Sequence, residues 1–235
     1  MSQKECVIRI FETLQGVATL GQLYALVDTS IWKTKTPYAS IRRIVQTNKE
    51  FFKIKPGLWG LSHQKDMIIK NLHITTNTTE NPHFTHAYYQ GIITELGALR
   101  GFQTFIPAQD KNKLFINKPL KDIATLDTIH TFTYLELVNK AKTIDSIWFN
   151  ERKMPHAFYE VEHSTDFKNS LNKFFELQDF RSKFYIVADK KRKAQFLSIM
   201  ENSIYKPIKD FVNFADYESI VKQYENESMK YEMGI

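Results

Sequence analysis

The chain has 235 residues, a hydrophobic fraction of 43% and a formal net charge of +6, which describe a globular protein rather than a disordered one. Its single cysteine, Cys6, lies among apolar residues, so a disulfide scaffold is excluded and a reducing, cytoplasmic compartment is expected. The sequence contains no phosphate-binding glycine loop, and no stretch is long enough to span a membrane. The composition therefore disfavours nucleotide-driven motors, dinucleotide enzymes and membrane proteins.

The positive charge is unevenly distributed along the chain. Residues 1–62 hold nine Lys and Arg against four Asp and Glu, a net charge of +5, whereas residues 63–235 hold 23 against 22, a net charge of +1. This asymmetry is typical of a polyanion-binding module joined to a domain with a different task. A merely basic surface is the alternative.

The first part of the chain predicts three helices and a hairpin. Apolar residues at helical spacing mark three short helices in residues 5–47, the second capped by Thr19 and the third opened by Pro37. Residues 51–61 then predict two strands folded about a Pro-Gly turn. Three helices followed by a hairpin is the plan of a winged helix, which we place at residues 1–62.

Part of this domain resembles a known group. The segment from Thr34 to Arg43, with Thr-Lys-Thr-Pro followed by Ser-Ile-Arg-Arg, and the hairpin from Phe52 to Trp59 resemble the HARE-HTH group of winged-helix domains. The resemblance implies that the domain binds double-stranded DNA with its third helix in the major groove. The candidate DNA-binding residues are Lys33, Lys35, Ser40, Arg42, Arg43, Gln46, Lys53 and Lys55. A winged helix used for protein contacts is the alternative.

Residues 63–82 are polar and lack a sustained apolar pattern, so we predict a linker there. Residues 83–235 then predict a helix, a strand, a mostly helical insertion around 117–141, two strands, a helix, a strand and a last helix. This order predicts an α/β domain with a central mixed sheet flanked by helices, within a chain that is α+β overall.

Three acids lie in what we predict to be a hairpin of partly buried strands. The alternation of a strand places Glu160 and Glu162 on one face, roughly 6.5 Å apart, and Asp145 lies at the start of the partner strand. Buried carboxylates are costly unless something positive pairs with them, and a divalent cation is the natural partner. The pattern therefore predicts a metal site for Mg²⁺, which Mn²⁺ would be able to replace.

This constellation resembles the PD-(D/E)XK nuclease motif. The resemblance implies that Asp145 and Glu160 are metal ligands of a catalytic site. Glu162 stands where the family usually has lysine, which shifts its implied role to a general base or a further ligand. The clustered acids should also have raised pKa values in the absence of metal.

Glu95 is a fourth candidate, because it lies within the apolar stripe of the helix that opens this domain, and the nuclease class often contributes an acid from that helix. A glutamate reaching solvent is the alternative. For two further groups of residues a surface position is favoured over a functional role. His83 and His86, one turn apart, are expected to be a surface pair rather than a zinc site, and the run from Lys190 to Lys193 is expected to be a solvated helix start rather than a DNA contact.

The sequence therefore predicts a magnesium-dependent, site-specific endonuclease of restriction type that hydrolyses double-stranded DNA, either type II or modification-dependent. Cleavage of a palindromic site would require two active sites, so a homodimer is expected. One alternative is a non-catalytic DNA-binding regulator that retains a nuclease fold, and Glu162 in place of lysine is its best support. A nuclease for structured RNA is the other.

Overall fold

The computed structural model describes residues 2–72, 74, 81–163 and 166–235. The chain forms two compact units, one of Met1–Asn81 with Val221–Ile235 and the other of Pro82–Ile220. Within the described ranges, we find no helix that combines the length and apolar character needed to cross a membrane. Each unit has its own apolar core.

The first unit contains short helices packed on a three-stranded antiparallel sheet of order β1-β3-β2. Its elements before residue 81 are α1 (Gln3–Thr13), β1 (Val17–Thr19), α2 (Leu20–Leu26), α3 (Pro37–Thr47), β2 (Phe51–Lys55), β3 (Leu58–Leu61) and α4 (Lys65–Asn71).

The predicted helices and hairpin of this unit are confirmed. Thr19 caps α2, because its hydroxyl accepts a hydrogen bond from the Gln22 backbone N–H at 3.1 Å while the Gln22 side chain accepts from the Thr19 N–H at 2.8 Å. Pro37 is the first residue of α3. Gly57, with a φ of +74°, turns the chain between β2 and β3. The short strand β1 is an addition that the sequence pattern did not predict.

The predicted linker is partly wrong. A 3-10 turn at Ser62–Gln64 and helix α4 occupy its first half, and Ile68 of α4 is buried. Ile68 lies in the short apolar run from Met67 to Ile69, which is too brief to register as a sustained helical pattern. The rest of the predicted linker at residues 73 and 75–80 lies outside the described residues.

The second unit is built on a five-stranded sheet of order β10-β9-β8-β7-β4. Strands β4, β7 and β8 pair antiparallel, whereas β8, β9 and β10 pair parallel, so the predicted mixed sheet is confirmed. Its elements are α5 (Pro82–Leu99), β4 (Gln103–Phe105), β5 (Leu114–Phe115), β6 (Lys118–Pro119), α6 (Leu135–Ala141), β7 (Ser146–Phe149), β8 (Pro155–Glu162), α7 (Phe167–Glu176), β9 (Lys183–Ala188), α8 (Lys193–Met200), β10 (Val212–Asp216) and the start of α9 (Tyr217–Met233).

Helices cover both faces of this sheet. On one face α5 packs closely on β7, because a Cβ at Gly97 would lie only 2.5 Å from the indole nitrogen of Trp148. On the other face Phe174 of α7 meets Phe184 of β9, with ring centroids 5.1 Å apart. Helix α5 is therefore buried almost all round, and polar residues on it must find partners inside the protein.

The insertion predicted to be mostly helical is largely irregular. Between residues 117 and 141, α6 is its only α-helix in the described residues, preceded by the small strand β6 and a 3-10 turn at Leu120–Asp122. Single apolar side chains such as Ile129 and Phe132 pack against the core instead of forming a helical stripe. These anchors hold an irregular segment without requiring a regular backbone.

The last helix, α9, belongs to both units, since residues from Val221 onward lie in the first. There the Tyr224 hydroxyl is 3.2 Å from the hydroxyl of Thr19, and both atoms are buried. A Cβ at Gly21 would lie 2.5 Å from the same tyrosine oxygen, so only glycine permits this approach. The predicted assignment of all residues from 83 to 235 to one domain therefore differs from the structure at its C-terminal end.

An ion pair joins α9 to α3 within the first unit. The Arg42 guanidinium donates to the Glu225 carboxylate at 2.8 Å, and the glutamate side chain is only 8% exposed. Burial raises the pKa of Glu225, and the charge of Arg42 opposes that rise. A partner is therefore required if this carboxylate is to stay ionised at neutral pH.

We predict that Arg42→Ala destabilises the protein by about 2 kcal/mol, because it leaves the Glu225 charge buried without compensation. The double variant with Glu225→Gln should recover part of this loss. Urea unfolding followed by circular dichroism measures both effects. The control is Arg43→Ala, which removes an exposed neighbour and should change stability by less than about 0.5 kcal/mol. Equal losses for the two arginines would contradict the assignment.

Candidate active site

Asp145 lies at the junction of three elements in the second unit. It is buried and directly precedes β7. Its Oδ2 accepts a hydrogen bond from the Val161 backbone N–H of β8 at 2.7 Å and lies 3.1 Å from Nε2 of His86 on α5. Its own carbonyl oxygen accepts from the Gln90 side-chain amide at 2.6 Å. The position of this carboxylate is thus fixed from several directions.

His86, Asp110 and Asp145 form a cluster whose ligand atoms all lie within 4.8 Å of one another. Asp110 lies in the turn after β4, where its carboxylate accepts from Gln90 at 2.9 Å and from Lys113 at 2.6 Å. The 3.1 Å between His86 Nε2 and Asp145 Oδ2 is about the spacing of adjacent ligands around an octahedral ion with bonds of about 2.1–2.2 Å. The cluster has the size of a divalent metal site.

Two buried polar atoms beside this cluster have no hydrogen-bond partner in the described part of the chain. They are Nδ1 of His86 and Oε1 of Gln90, and Gln90 is completely buried. Buried polar atoms are normally satisfied, so these two indicate that a water, an ion or a ligand belongs nearby. Together with two carboxylates and an imidazole, they fit a hydrated divalent cation.

The electrostatics of His86 reflect this neighbourhood. Burial lowers the pKa of His86, but the hydrogen bond to Asp145 and the negative charge of that residue outweigh burial and raise it overall. The interpretation of His83 and His86 as a surface pair was therefore wrong for His86, although His83 is exposed. The sequence did not indicate a role for His86 because its partner, Asp145, is 59 positions away in the chain and only the fold brings the two together.

Glu160 and Glu162 share one face of β8, as predicted. The hydroxyl of Ser170 on α7 lies 2.9 Å from Oε2 of Glu160 and also contacts Oε1 of Glu162. Both glutamates are buried, with 4% and 5% of their surfaces exposed. Since a serine has one hydroxyl hydrogen, it donates to only one of these carboxylates at a time.

A lysine that the sequence analysis missed completes this group. Lys173 Nζ lies 2.8 and 3.0 Å from the two oxygens of Glu160 and donates to the Thr143 carbonyl at 3.0 Å. Lys173 is on α7, whereas the motif would place its lysine on the strand at the position of Glu162. One sequence feature could have linked α7 to the acids of β8. Ser170 is a small polar residue on the apolar face of α7, so it had to have a hydrogen-bond partner inside the protein.

Burial, followed by the negative charge of Asp145, raises the pKa of Glu160 to about 8, although Lys173 and Ser170 oppose the rise. The predicted raised pKa is therefore confirmed for this residue. Without a cation, Glu160 is largely protonated at neutral pH. Binding of a metal by this carboxylate would release its proton.

Glu95 is placed differently from the other predicted site residues. It is partly buried on α5, nine residues beyond His86, which at about 100° per residue puts it on roughly the opposite side of the helix. The structure thus brings Asp145 and Glu160 close together, whereas α5 presents His86 rather than Glu95 to Asp145.

The predicted DNA-binding residues of the first unit differ in how exposed they are. Arg42 forms an ion pair with Glu225, and Lys55 is only 6% exposed. Neither residue therefore offers the free positive charge that the sequence analysis expected. Ser40 is partly exposed and donates its hydroxyl to the Thr36 carbonyl at 3.2 Å. The remaining predicted residues are exposed, namely Lys33, Lys35, Arg43, Gln46 and Lys53.

Fold and site together define an α/β protein with a buried centre of carboxylates and one imidazole at the edge of a mixed sheet. The family model of the type II restriction enzyme NmeDI C-terminal domain matches residues 68–233 of this chain. The chain therefore belongs to that family of restriction enzymes.

A curated relative agrees with this assignment. The chain is 29% identical over 99 residues to the type II restriction enzyme NmeDI of Neisseria meningitidis serogroup C. The aligned region covers 40% of this chain and 28% of the relative, so the chain matches only part of that enzyme. No solved structure matches the chain.

We predict that Glu160 makes the stability of the metal-free protein depend on pH. With a folded-state pKa of about 8, above the usual value of about 4.5, the folded state binds the extra proton between these values, so stability falls as pH rises through this window. From about pH 5.5 to about pH 8 the free energy of unfolding should fall by about 3 kcal/mol more in the wild type than in Glu160→Gln.

Urea unfolding with a chelator at the two pH values tests this prediction. The control is Glu176→Gln, which changes an exposed glutamate on α7 and should keep the pH dependence of the wild type. The prediction is wrong if Glu160→Gln and the wild type lose the same stability over this range.

Proposed function

We propose that this protein is a magnesium-dependent, site-specific endonuclease of restriction type that hydrolyses phosphodiester bonds in double-stranded DNA. The observation that carries the proposal is the buried Asp145 carboxylate, held between β7, β8 and α5 in a chain of a restriction enzyme family. The adjacent acids and the lysine on α7 support it. A buried cluster of this composition has little structural value without a cation.

In this proposal Asp145, Asp110 and His86 would hold the metal, and Glu160 would be a further ligand. Such an ion would supply charge neutralisation at the scissile phosphate and would make a water molecule more acidic. Carboxylate oxygens suit Mg²⁺, while the nitrogen of His86 favours a transition metal, so Mn²⁺ should replace Mg²⁺ well.

The remaining groups have roles that follow from their positions. Glu162 accepts the proton of the attacking water, or serves as a further ligand. Lys173, beside Glu160, supplies the positive charge that the motif lysine would have supplied at the position of Glu162. Its ammonium group is suited to orient the attacking water or to contact a phosphate oxygen. Ser170 lies between the two glutamates and donates its hydroxyl hydrogen to one of them at a time.

The first unit is the proposed DNA-reading module. Its helices and hairpin follow the order of a winged helix, and α3 carries the exposed residues Arg43 and Gln46. Exposed lysines at positions 33, 35 and 53 would contact phosphates. Type II and modification-dependent cleavage are both compatible with this arrangement, and cleavage of a palindrome would be carried out by a homodimer.

We predict that Asp145→Ala abolishes DNA cleavage. Purified wild type and variant are incubated with methylated and unmethylated plasmid, with Mg²⁺ or with a chelator, and the fragments are separated on a gel. Discrete, Mg²⁺-dependent fragments should appear for the wild type and fall at least about 100-fold for the variant, because the central carboxylate is lost. Asp179→Ala, at an exposed aspartate after α7, serves as the control and should cut normally.

Absence of cutting on both DNAs, with DNA binding retained in a gel shift, would replace this proposal with the non-catalytic regulator. Cutting of structured RNA but not DNA would favour the RNA nuclease. Cleavage that survives in Asp145→Ala would show that the site lies elsewhere.

We also predict that His86 contributes to metal binding. Isothermal titration calorimetry of Mn²⁺ and Mg²⁺ should show tighter binding of Mn²⁺, and His86→Ala should weaken Mn²⁺ by about tenfold or more while affecting Mg²⁺ less, since imidazole suits transition metals. His83→Ala removes an exposed histidine one turn away and should bind both metals as the wild type does. If both variants bind Mn²⁺ like the wild type, His86 is not a ligand.

A further inference from the structure

The basic run of Lys190, Lys191, Arg192 and Lys193 directly follows β9. Strand β9 is parallel to β8, with Ala188 beside Glu162, so the run begins two residues beyond the level of that glutamate. Its first three residues form a 3-10 turn, and α8 begins at Lys193. The run therefore lies at the edge of the sheet where the acids of β8 lie.

Specific contacts fix this turn at the edge. Arg192 donates from Nη1 to the Glu162 carbonyl at 2.9 Å, and its guanidinium lies 4.1 Å from the centroid of the Phe167 ring. The Asp189 carboxylate accepts from the Lys191 backbone N–H at 2.8 Å. The arginine thus holds the lysines beside it next to the end of β8.

The other three cations, which we call the strand-edge lysines, are Lys190, Lys191 and Lys193. All three are exposed, and within the described residues none of them forms an ion pair. The carboxylates at the ends of β9 and β10, Asp189 and Asp216, accept backbone N–H groups as helix caps. Three neighbouring uncompensated positive charges repel one another, and a polyanion relieves that repulsion.

We propose that the strand-edge lysines bind the phosphates of duplex DNA that flank the bond being cut. The proposal rests on the proposed function, because it places the scissile phosphate at the acids of β8. Glu160 and Glu162 are about 6.5 Å apart along the strand, and Arg192 attaches the lysines at the level of the second. Neighbouring phosphates of a strand bound at this site would therefore meet positive charge, independently of base sequence.

The experiment measures binding without cleavage. The full chain is titrated, in the presence of chelator, against a fluorescent duplex of random sequence at several KCl concentrations. The triple variant Lys190→Gln, Lys191→Gln and Lys193→Gln should reduce the slope of log K against log salt by about 2 to 3, since each lost phosphate contact removes about 0.9. Its thermal unfolding should match the wild type, because these side chains are exposed.

The chain provides a matched control at the opposite end of the same strands. Arg152 and Lys153 in the turn before β8 and Lys183 at the start of β9 are also exposed, so changing all three to Gln removes the same charge. This control should keep the wild-type slope. An unchanged slope in the first triple variant, or equal losses in both, would overturn the inference. Failure of the wild type to bind any duplex would instead overturn the proposed function, and the inference with it.

Discussion

The Asp145 carboxylate is the constraint on which the second unit depends. One of its oxygens meets both a backbone N–H of β8 and an imidazole of α5, so a strand end, a neighbouring strand and a helix are tied to one charged group. Such a charge is tolerated in a core only if donors surround it. Gln90 extends this network by bonding both Asp110 and the carbonyl of Asp145.

The polar face of α5 continues from that network. The Thr94 hydroxyl donates to the Gln90 carbonyl at 2.7 Å and lies 3.4 Å from the Ser146 hydroxyl, and both residues are fully buried. A helix enclosed on nearly all sides thus carries a polar row toward the start of β7. The Gln90 side chain continues that row by donating to the carbonyl of Asp145.

The strand acids could be predicted because their signal is local in sequence. Alternation along β8 was enough to place Glu160 and Glu162 on one face, and the adjoining strand supplied Asp145. His86 and Lys173 could not be found in this way, since each is an ordinary helix residue until the sheet brings a carboxylate to it. The apolar stripe that suggested Glu95 could not show which side of α5 faces the acids, because α5 is buried almost all round.

The same limit applies to the first unit. The helical periodicity of α3 correctly predicted that Arg42 points away from the core formed by α1 and α2. It gave no sign that Glu225, 183 positions further along the chain, pairs with Arg42 on that side. Of the residues predicted on α3 to contact bases or phosphates, Arg43 and Gln46 are exposed. Periodicity within one helix reports which side faces its local core, and a distant helix that covers the other side leaves no trace in that pattern.

The net charge does not show how the acidic and basic residues of the second unit are arranged. Residues 63–235, which include that unit, carry a charge of only +1, yet the buried Glu160 and Glu162 lie at the end of β8 and the strand-edge lysines follow the neighbouring strand β9. Buried carboxylates repel a phosphate until a cation offsets their charge, whereas exposed lysines attract it at longer range. Under the proposed function, the adjacency of the two groups, rather than either alone, would let this end of the sheet both attract a polyanion and hold the cation that acts on it.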